Sequence, residues 1–474
     1  FGAAGGLVVA KWTIDLIASI LPADDTSLVR FSLSPTMMIF AGATALLTGI
    51  AFGLFPALHS TRPDLVTALR NNSGKLAGGR AARRFRTTLA TGQIALAMAL
   101  LMSAGLFLKS LWKVGQVELG VQVERLVTFT ISPTGSGYDS VRARTLFDRL
   151  EEDLGGVPGV TAVTSAMVPL ISGSSWSTSV GVEGFDPPPN THTSSHLNAV
   201  GPGFFRTVGM ELLAGREFDD ADVTGRPKVA IVNETFARRF NLGRNPVGKR
   251  MRTGSSDTLP LDMEIIGLAR DARYAKVGDT VPPVFFTPHR QRTNLYSLNF
   301  YLRTNGDPNT LVRAIPGVVA RLDPMMPVQN LKTMPQEIRE NTAMYRMIST
   351  VSASFASLAT LLAAIGLYGV LAYSVAQRTG EIGVRMALGA RAGQVRTLVM
   401  RQVGFMVLIG GVLGVAAAIG VGKISASVLY GVTGSDPWVM TASVVFLAMV
   451  ALAAGYVPAR RASRVDPMQA LRYE

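Results

Sequence analysis

The sequence predicts a membrane protein: an α-helical transmembrane bundle of about six spans, the first partial, with a large α+β extracytoplasmic domain between the third and fourth spans. Three observations carry that expectation. Of 474 residues, 48% are hydrophobic and 16% charged, and the mean hydropathy is +0.30, too apolar for a water-soluble chain of this size. The apolar residues are gathered into long uncharged runs. Lys and Arg cluster beyond every second run.

Five runs read from Phe31 to Leu58, Thr87 to Leu108, Met347 to Gln377, Gln402 to Gly422 and Pro437 to Ala459. Each suffices for a bilayer core, which takes roughly 20 helical residues. A sixth, from Phe1 to Leu21, is interrupted by Lys11 and Asp15, whose spacing puts them on one helix face. It reads as a span entered midway. Because the chain starts on Phe without a polar n-region, truncation at the N-terminus is expected rather than a signal peptide.

Orientation follows from the basic residues, which are retained on the cytoplasmic side. One cluster, Arg62, Arg70, Lys75, Arg80, Arg83, Arg84 and Arg86, lies between the second and third spans. Another, Arg378, Arg385, Arg391, Arg396 and Arg401, lies between the fourth and fifth, and Arg460, Arg461, Arg464 and Arg472 occupy the tail. Six alternating spans place all three on one side, which makes the C-terminus cytoplasmic in a plasma (inner) membrane. The net charge of +14 is then accounted for by topology and membrane lipids, and nucleic acid is not an expected partner.

The opposite side receives the chain from about Trp112 to Ala343, where the Pro, Asp and Asn missing from the spans are found. A strand-like stretch from Leu126 to Ser132, an amphipathic helix from Ser140 to Leu154 and a strand from Val160 to Val168 open it. The same order returns in the stretches 297–304, 309–322 and 327–331, and the two βαβ-like units are expected to form one subdomain. The insertion between them, about Ile171 to Arg290, reads as a second α+β lobe, with strands near Val229 and Met263 and a short helix after Glu234. With no Cys in the chain, disulfides, thiol nucleophiles and Cys-based metal sites are excluded.

Catalytic motifs fail on inspection. Gly243 to Arg250, GRNPVGKR, matches a phosphate-binding loop except at Arg250, where Ser or Thr would hold magnesium. His192 and His196 are spaced as zinc ligands on a helix, but HTSSH lacks a Glu and follows PPPN in an expected loop. His59 and His289 are isolated. No enzyme activity, cofactor or metal is expected.

An internal repeat is clearer. FPALHSTRPDLVTALR from Phe55 aligns without gaps to VPARRASRVDPMQALR from Val457, and the identities include Pro56 with Pro458, Arg62 with Arg464 and Asp64 with Asp466. Both copies follow an inward-running span, so the chain reads as an internal duplication.

The last third, with a basic loop RTGEIGVRMALGARAGQVRTLVMRQ between spans and PARRASRVDPMQALR at the end, resembles an FtsX-type permease domain. The middle, with GMELLAGREFDDAD, VAIVNETFARRF, NPVGKRMR and PPVFFTPHR, resembles the periplasmic core domain of MacB-like ABC transporter permeases. Together with the upstream half-copy, the resemblance implies a duplicated permease. Residues 1–70 are then the end of a first FtsX-type unit, 71–87 a cytoplasmic basic linker, 88–111 a span, 112–343 the periplasmic core domain and 344–474 the second FtsX-type domain. The family works with a separate ATP-hydrolysing subunit, and a dimer or fused pseudo-dimer is implied.

In such families the loop between the last domain's first two spans is a coupling helix that docks on the ATPase. The residues fit a short amphipathic helix from Thr379 to Leu388, with Glu381 four before Arg385 as an ion pair and Gly389 as a left-handed stop. Glu381, Ile382, Gly383, Arg385 and Gly389 are therefore the expected coupling residues. The competing reading of the loop is a basic stretch that binds lipid headgroups. The fourth span would measure about 46 Å as helix against a hydrocarbon core of about 30 Å, so part of it is expected to protrude. Small residues four apart, Ala359 with Ala363, Gly410 with Gly414 and Ala416 with Gly420, are expected to allow close helix packing. Two functions remain: a permease coupling a partner's ATP hydrolysis to export or mechanical work, and a membrane-anchored binding or sensing protein that transports nothing.

Overall fold

The computed structural model describes residues 2–20, 34–60, 77–186, 188, 192–254 and 259–464. The chain divides into two compact units, one of Phe1–Gly115 with Ala343–Glu474, the other Gln116–Thr342.

Three helices open the first unit: α1 over Gly2–Ile20, α2 over Pro35–Ser60 and α3 over Ala77–Val114. In α1, Lys11 and Asp15 form an ion pair at 2.7 Å, so the two charges that interrupt the first apolar run neutralise each other one turn apart. A hydroxyl in an apolar helix has only its own backbone to bond with. Thr44, Thr91 and Ser103 accordingly donate to the carbonyl four residues back, at 2.8, 2.9 and 2.8 Å.

The second unit comprises β1 (Leu126–Ile131), α4 (Ser140–Gly155), β2 (Val160–Ala166), β3 (Ser177–Val182), β4 (Ser194–Val200), α5 (Phe204–Val208), β5 (Leu212–Gly215) and β6 (Lys228–Asn233). It continues with α6 (Glu234–Arg239), β7 (Arg250–Thr253), β8 (Met263–Ala269), β9 (Val284–Pro288), β10 (Leu298–Thr304), α7 (Pro308–Leu322), β11 (Gln329–Thr333) and α8 (Met334–Asn341). In the order β11-β1-β10-β2 every neighbour is antiparallel. β1–α4–β2 and β10–α7–β11 are thus two split strand–helix–strand units, each with a strand of the other between its own two. Their helices start where the sequence supplies caps, Asp139 accepting from the Arg142 amide at 2.8 Å and Asp307 from that of Asn309 at 3.0 Å. The core between helices and strands is centred on Phe129 and Phe300, stacked 5.2 Å apart, with Phe147, Leu150 and Ile315 around them.

The insertion closes on itself. β4 pairs with β3, β3 with β7, β7 with β8, β8 with β6 and β6 with β9, and β9 returns to β4 in parallel from His196↔Val284 to Val200↔Pro288. Six strands form a ring without free edges, around Val180, Val232, Met251, Ile265 and Phe285. At the end where β6 finishes, α6 contributes buried Phe236 to this core, and Phe240, just after the helix, joins it. Asn233 fixes that corner, its side-chain oxygen accepting from the amides of Phe236 and Val284, both at 2.9 Å.

The first unit resumes with α9 (Ala343–Gln377), α10 (Thr379–Ala387), α11 (Ala392–Ile424) and α12 (Pro437–Ala462). Among the described residues four helices are long and apolar enough to cross a membrane: Arg84–Val114, Ala343–Gln377, Ala392–Ser427 and Pro437–Ala462. Six spans were expected, and α1 and α2 make the difference. Both are apolar helices, of 19 and 26 residues, and neither is among the four. The four long helices pack around Ile94, Met98, Leu367, Leu371, Val403 and Met406. Two glycines set the approach of α11 to α3. A Cβ on Gly410 would lie 2.8 Å from the Ile94 side chain, and one on Gly414 would lie 2.5 Å from the Ala95 carbonyl oxygen. Gly420, in the third expected pair, has open space beside it, so that pair makes no close packing among the described residues.

Candidate functional site

Four of the five expected coupling residues lie on α10, and Gly389 follows just beyond it; α10 is a nine-residue helix between the ends of two spans. It is continuous with the end of α9 through the Ile382 amide, which bonds the Arg378 carbonyl at 2.8 Å. At its other end the chain must reverse into α11 within a few residues, and Gly389 does this at φ +96°. The Gly389 amide bonds the Met386 carbonyl at 3.0 Å and the Ala390 amide bonds that of Arg385 at 2.9 Å, the paired bonds of a left-handed helix stop. α11 then begins with the Arg391 amide held by the Gln394 side chain at 3.0 Å.

The faces of α10 differ sharply. Ile382 is 4% exposed and joins the bundle core with Val395 and Val399, and Gly383 beside it is buried. These two expected site residues anchor the helix. Glu381 and Arg385 are half exposed and joined at 2.6 Å. Such an exposed pair adds little stability but fixes where both charges point. Between and beyond them lie Val384, 44% exposed, and Leu388, 83% exposed. Residues 381, 384, 385 and 388 follow the spacing i, i+3, i+4, i+7, one outward stripe of alternating charge and apolar surface. Val384 and Leu388 were not among the expected residues. The spacing alone identifies them once Ile382 is assigned inward.

At the opposite end of the bundle, the loop before α12 is bound to α3. Lys109 pairs with Asp436 at 2.6 Å, the Ser110 hydroxyl accepts from the Tyr430 amide at 2.8 Å, and the Lys113 ammonium donates to the Gly431 carbonyl. Asp436 also caps α12, accepting from the amides of Trp438 and Val439. The bond from Lys109, with these amides, holds its carboxyl below the usual range despite some desolvation.

In the strand ring a cavity of about 520 Å³ opens opposite α6. Phe285, Leu197 and Met263 line its apolar part, and Thr178, Thr253 and Arg292 its polar part. The buried Thr287 hydroxyl, also in the lining, has no hydrogen-bond partner among the described residues, and the Arg292 guanidinium lies 4.7 Å from the Trp176 ring centre.

The rejected catalytic motifs have structural accounts. The Gly243 to Arg250 stretch runs into strand β7, so no helix N-terminus faces it. His196 lies on β4, 5.4 Å from the Tyr274 ring, and His192 precedes that strand; the two share no helix face. His289 is buried with Ser165 at 3.0 Å and Glu151 at 3.6 Å. Among the described residues no group of three His, Asp or Glu could hold a metal. The repeat lies largely outside the described residues, at 61–70 and 465–472.

Two family models match. That of the MacB-like periplasmic core domain covers residues 87–322, and that of the FtsX-like permease C-terminal domain covers 353–467. A macrolide export ATP-binding/permease protein MacB from Agrobacterium fabrum is 25% identical over 377 residues, 75% of this chain and 54% of that protein. One from Shewanella sp. is 28% identical, covering 73% and 52%. An ABC transporter permease of Bacillus subtilis, YknZ, is 24% identical over 60% of this chain and 71% of its own. The chain spans about half the length of the MacB relatives. The crystal structure of the periplasmic region of MacB from Actinobacillus actinomycetemcomitans covers 47% of this chain and 95% of its own at 16% identity, with a TM-score of 0.33.

Proposed function

The chain belongs to the MacB/FtsX-like ABC transporter permeases, and from that premise we propose that it is the permease subunit on which a separate ATPase acts, driving export or mechanical work on an extracytoplasmic substrate. The observation that carries this reading is the outward stripe of α10. A nine-residue helix anchored by buried Ile382 leaves Val384 and Leu388 in solvent beside a fixed Glu381–Arg385 pair. Exposed apolar residues rimmed by charge favour a protein partner.

In this reading α10 lies at the cytoplasmic face with the C-terminus, and Gln116–Thr342 is extracytoplasmic. α1 and α2 are the last two spans of a preceding FtsX-type unit ending near residue 70, and the linker 71–87 joins it to the second unit. The repeat supports a fused pseudo-dimer. The inner membrane is the compartment, and the chain itself hydrolyses nothing.

Affinity purification of the full-length protein from native membranes, wild type beside an Arg385→Glu, Leu388→Glu variant, tests it. An ABC ATPase is expected with the wild type and lost from the variant. Its absence from both removes the motor. The second reading, a sensing protein, is favoured by the cavity in the strand ring, and it predicts that function survives deletion of residues 379–388.

A further inference from the structure

Three arginines from separate parts of the first unit line one cavity of about 1160 Å³: Arg84 on α3, Arg378 between α9 and α10, and Arg401 on α11. Like charges brought together require a counter-charge. Among the described residues none of the three has a carboxylate partner, and Glu381, the one described carboxylate at this end of the bundle, is paired with Arg385. The cavity changes character along α11. Phe405 and Leu408 follow Arg401 at i+4 and i+7, on the same face one and two turns deeper, and each is 65% exposed. Cationic groups at the end of a span, with an open apolar stripe running inward below them, match the two halves of a phospholipid.

We propose that this cavity binds an acidic glycerophospholipid, its phosphate on Arg84, Arg378 and Arg401 and an acyl chain along Phe405 and Leu408. The inference rests on the membrane placement given above. It goes further, because a topogenic basic loop needs only net charge near the bilayer, whereas here arginines from three elements line one cavity with an apolar continuation. Since Arg378 immediately precedes α10, an occupied site would also fix the base of the proposed coupling helix.

The test is native mass spectrometry of the full-length protein in detergent, titrated with phosphatidylglycerol, phosphatidylcholine or glycerol phosphate. Phosphatidylglycerol is expected to bind wild type, and each arginine replaced by Gln to weaken it about fivefold, the triple variant about a hundredfold. A control triple, Arg396→Gln, Arg460→Gln and Arg464→Gln, removes the same charge from outside the cavity and is expected to keep binding. Equal loss in the control would overturn the site in favour of diffuse electrostatics. Equal binding of phosphatidylcholine, or competition by glycerol phosphate at the same concentration, would overturn the acidic-lipid assignment. If the triple variant does not fold, the three single variants carry the same comparison. No ATPase is present in this experiment, so its failure leaves the permease reading standing, and loss of ATPase capture leaves this one.

Discussion

Gly414 and Gly420 lie six residues apart on α11, and by spacing they are alike as members of small-residue pairs. Their surroundings separate them. A methyl on Gly414 meets the Ala95 carbonyl and the Met98 side chain at 2.5 Å, while one on Gly420 meets nothing. Gly414→Ala should therefore destabilise the bundle by about 1–3 kcal/mol. Gly420→Ala should stabilise by up to about 1 kcal/mol through helix propensity. Thermal unfolding in detergent measures both, and equal shifts would contradict the packing. Glu151 gives a second test. Burial alone would raise its carboxyl, but the neighbouring His289, the hydrogen bond from Ser165 and the charge of Arg290 outweigh this and hold it below the ordinary value of 4.5. A depressed folded value means stability present above pH 4.5 and lost as pH falls below it. Glu151→Gln should flatten that acid limb, read by hydrogen exchange of β2 between pH 5 and 3. Nothing in the sequence pointed to this cluster, whose members Glu151, Ser165 and His289 are brought together only by the fold. Glu381, Arg385 and Gly389 were legible because their geometry is local.

Among elements, α10 and the start of α12 carry the sharpest expectations. Because Ile382 is buried and Leu388 is not, Ile382→Glu should unfold the helix from the bundle. Leu388→Glu should leave folding intact and weaken only partner capture, which limited proteolysis beside the affinity experiment distinguishes. Asp436 both caps α12 and pairs with Lys109. Asp436→Asn keeps the cap and should cost little, whereas Asp436→Ala should cost about 1 kcal/mol more, measured by thermal unfolding. Element positions were largely readable: β1, α4 and β2 begin at Leu126, Ser140 and Val160, the residues their periodicity marks. Their pairing was not. Closure of the ring depends on β9 lying parallel to β4, more than 80 residues earlier, and no local pattern encodes such a partner.

For the whole molecule, the absence of cysteine allows topology to be read chemically with single introduced thiols. A membrane-impermeant maleimide should label Asp220→Cys from outside once an outer membrane is permeabilised, and Arg391→Cys only after the inner membrane is broken. Labelling of Arg391→Cys from outside, with Asp220→Cys protected, would reverse the proposed orientation, and labelling of both from outside would overturn it. Hydropathy and charge indicated the membrane class, and among the described residues four of the six expected spans have the length and composition to cross, while the first two runs fold as the helices α1 and α2, which are not among the four. The first and last strands of the second unit, β1 and β11, are direct neighbours, with Val127 opposite Thr333. Its chain therefore leaves almost where it arrived. A fold with such a doorway can be inherited, lost or exchanged as a cassette between two helices with little disturbance to its host.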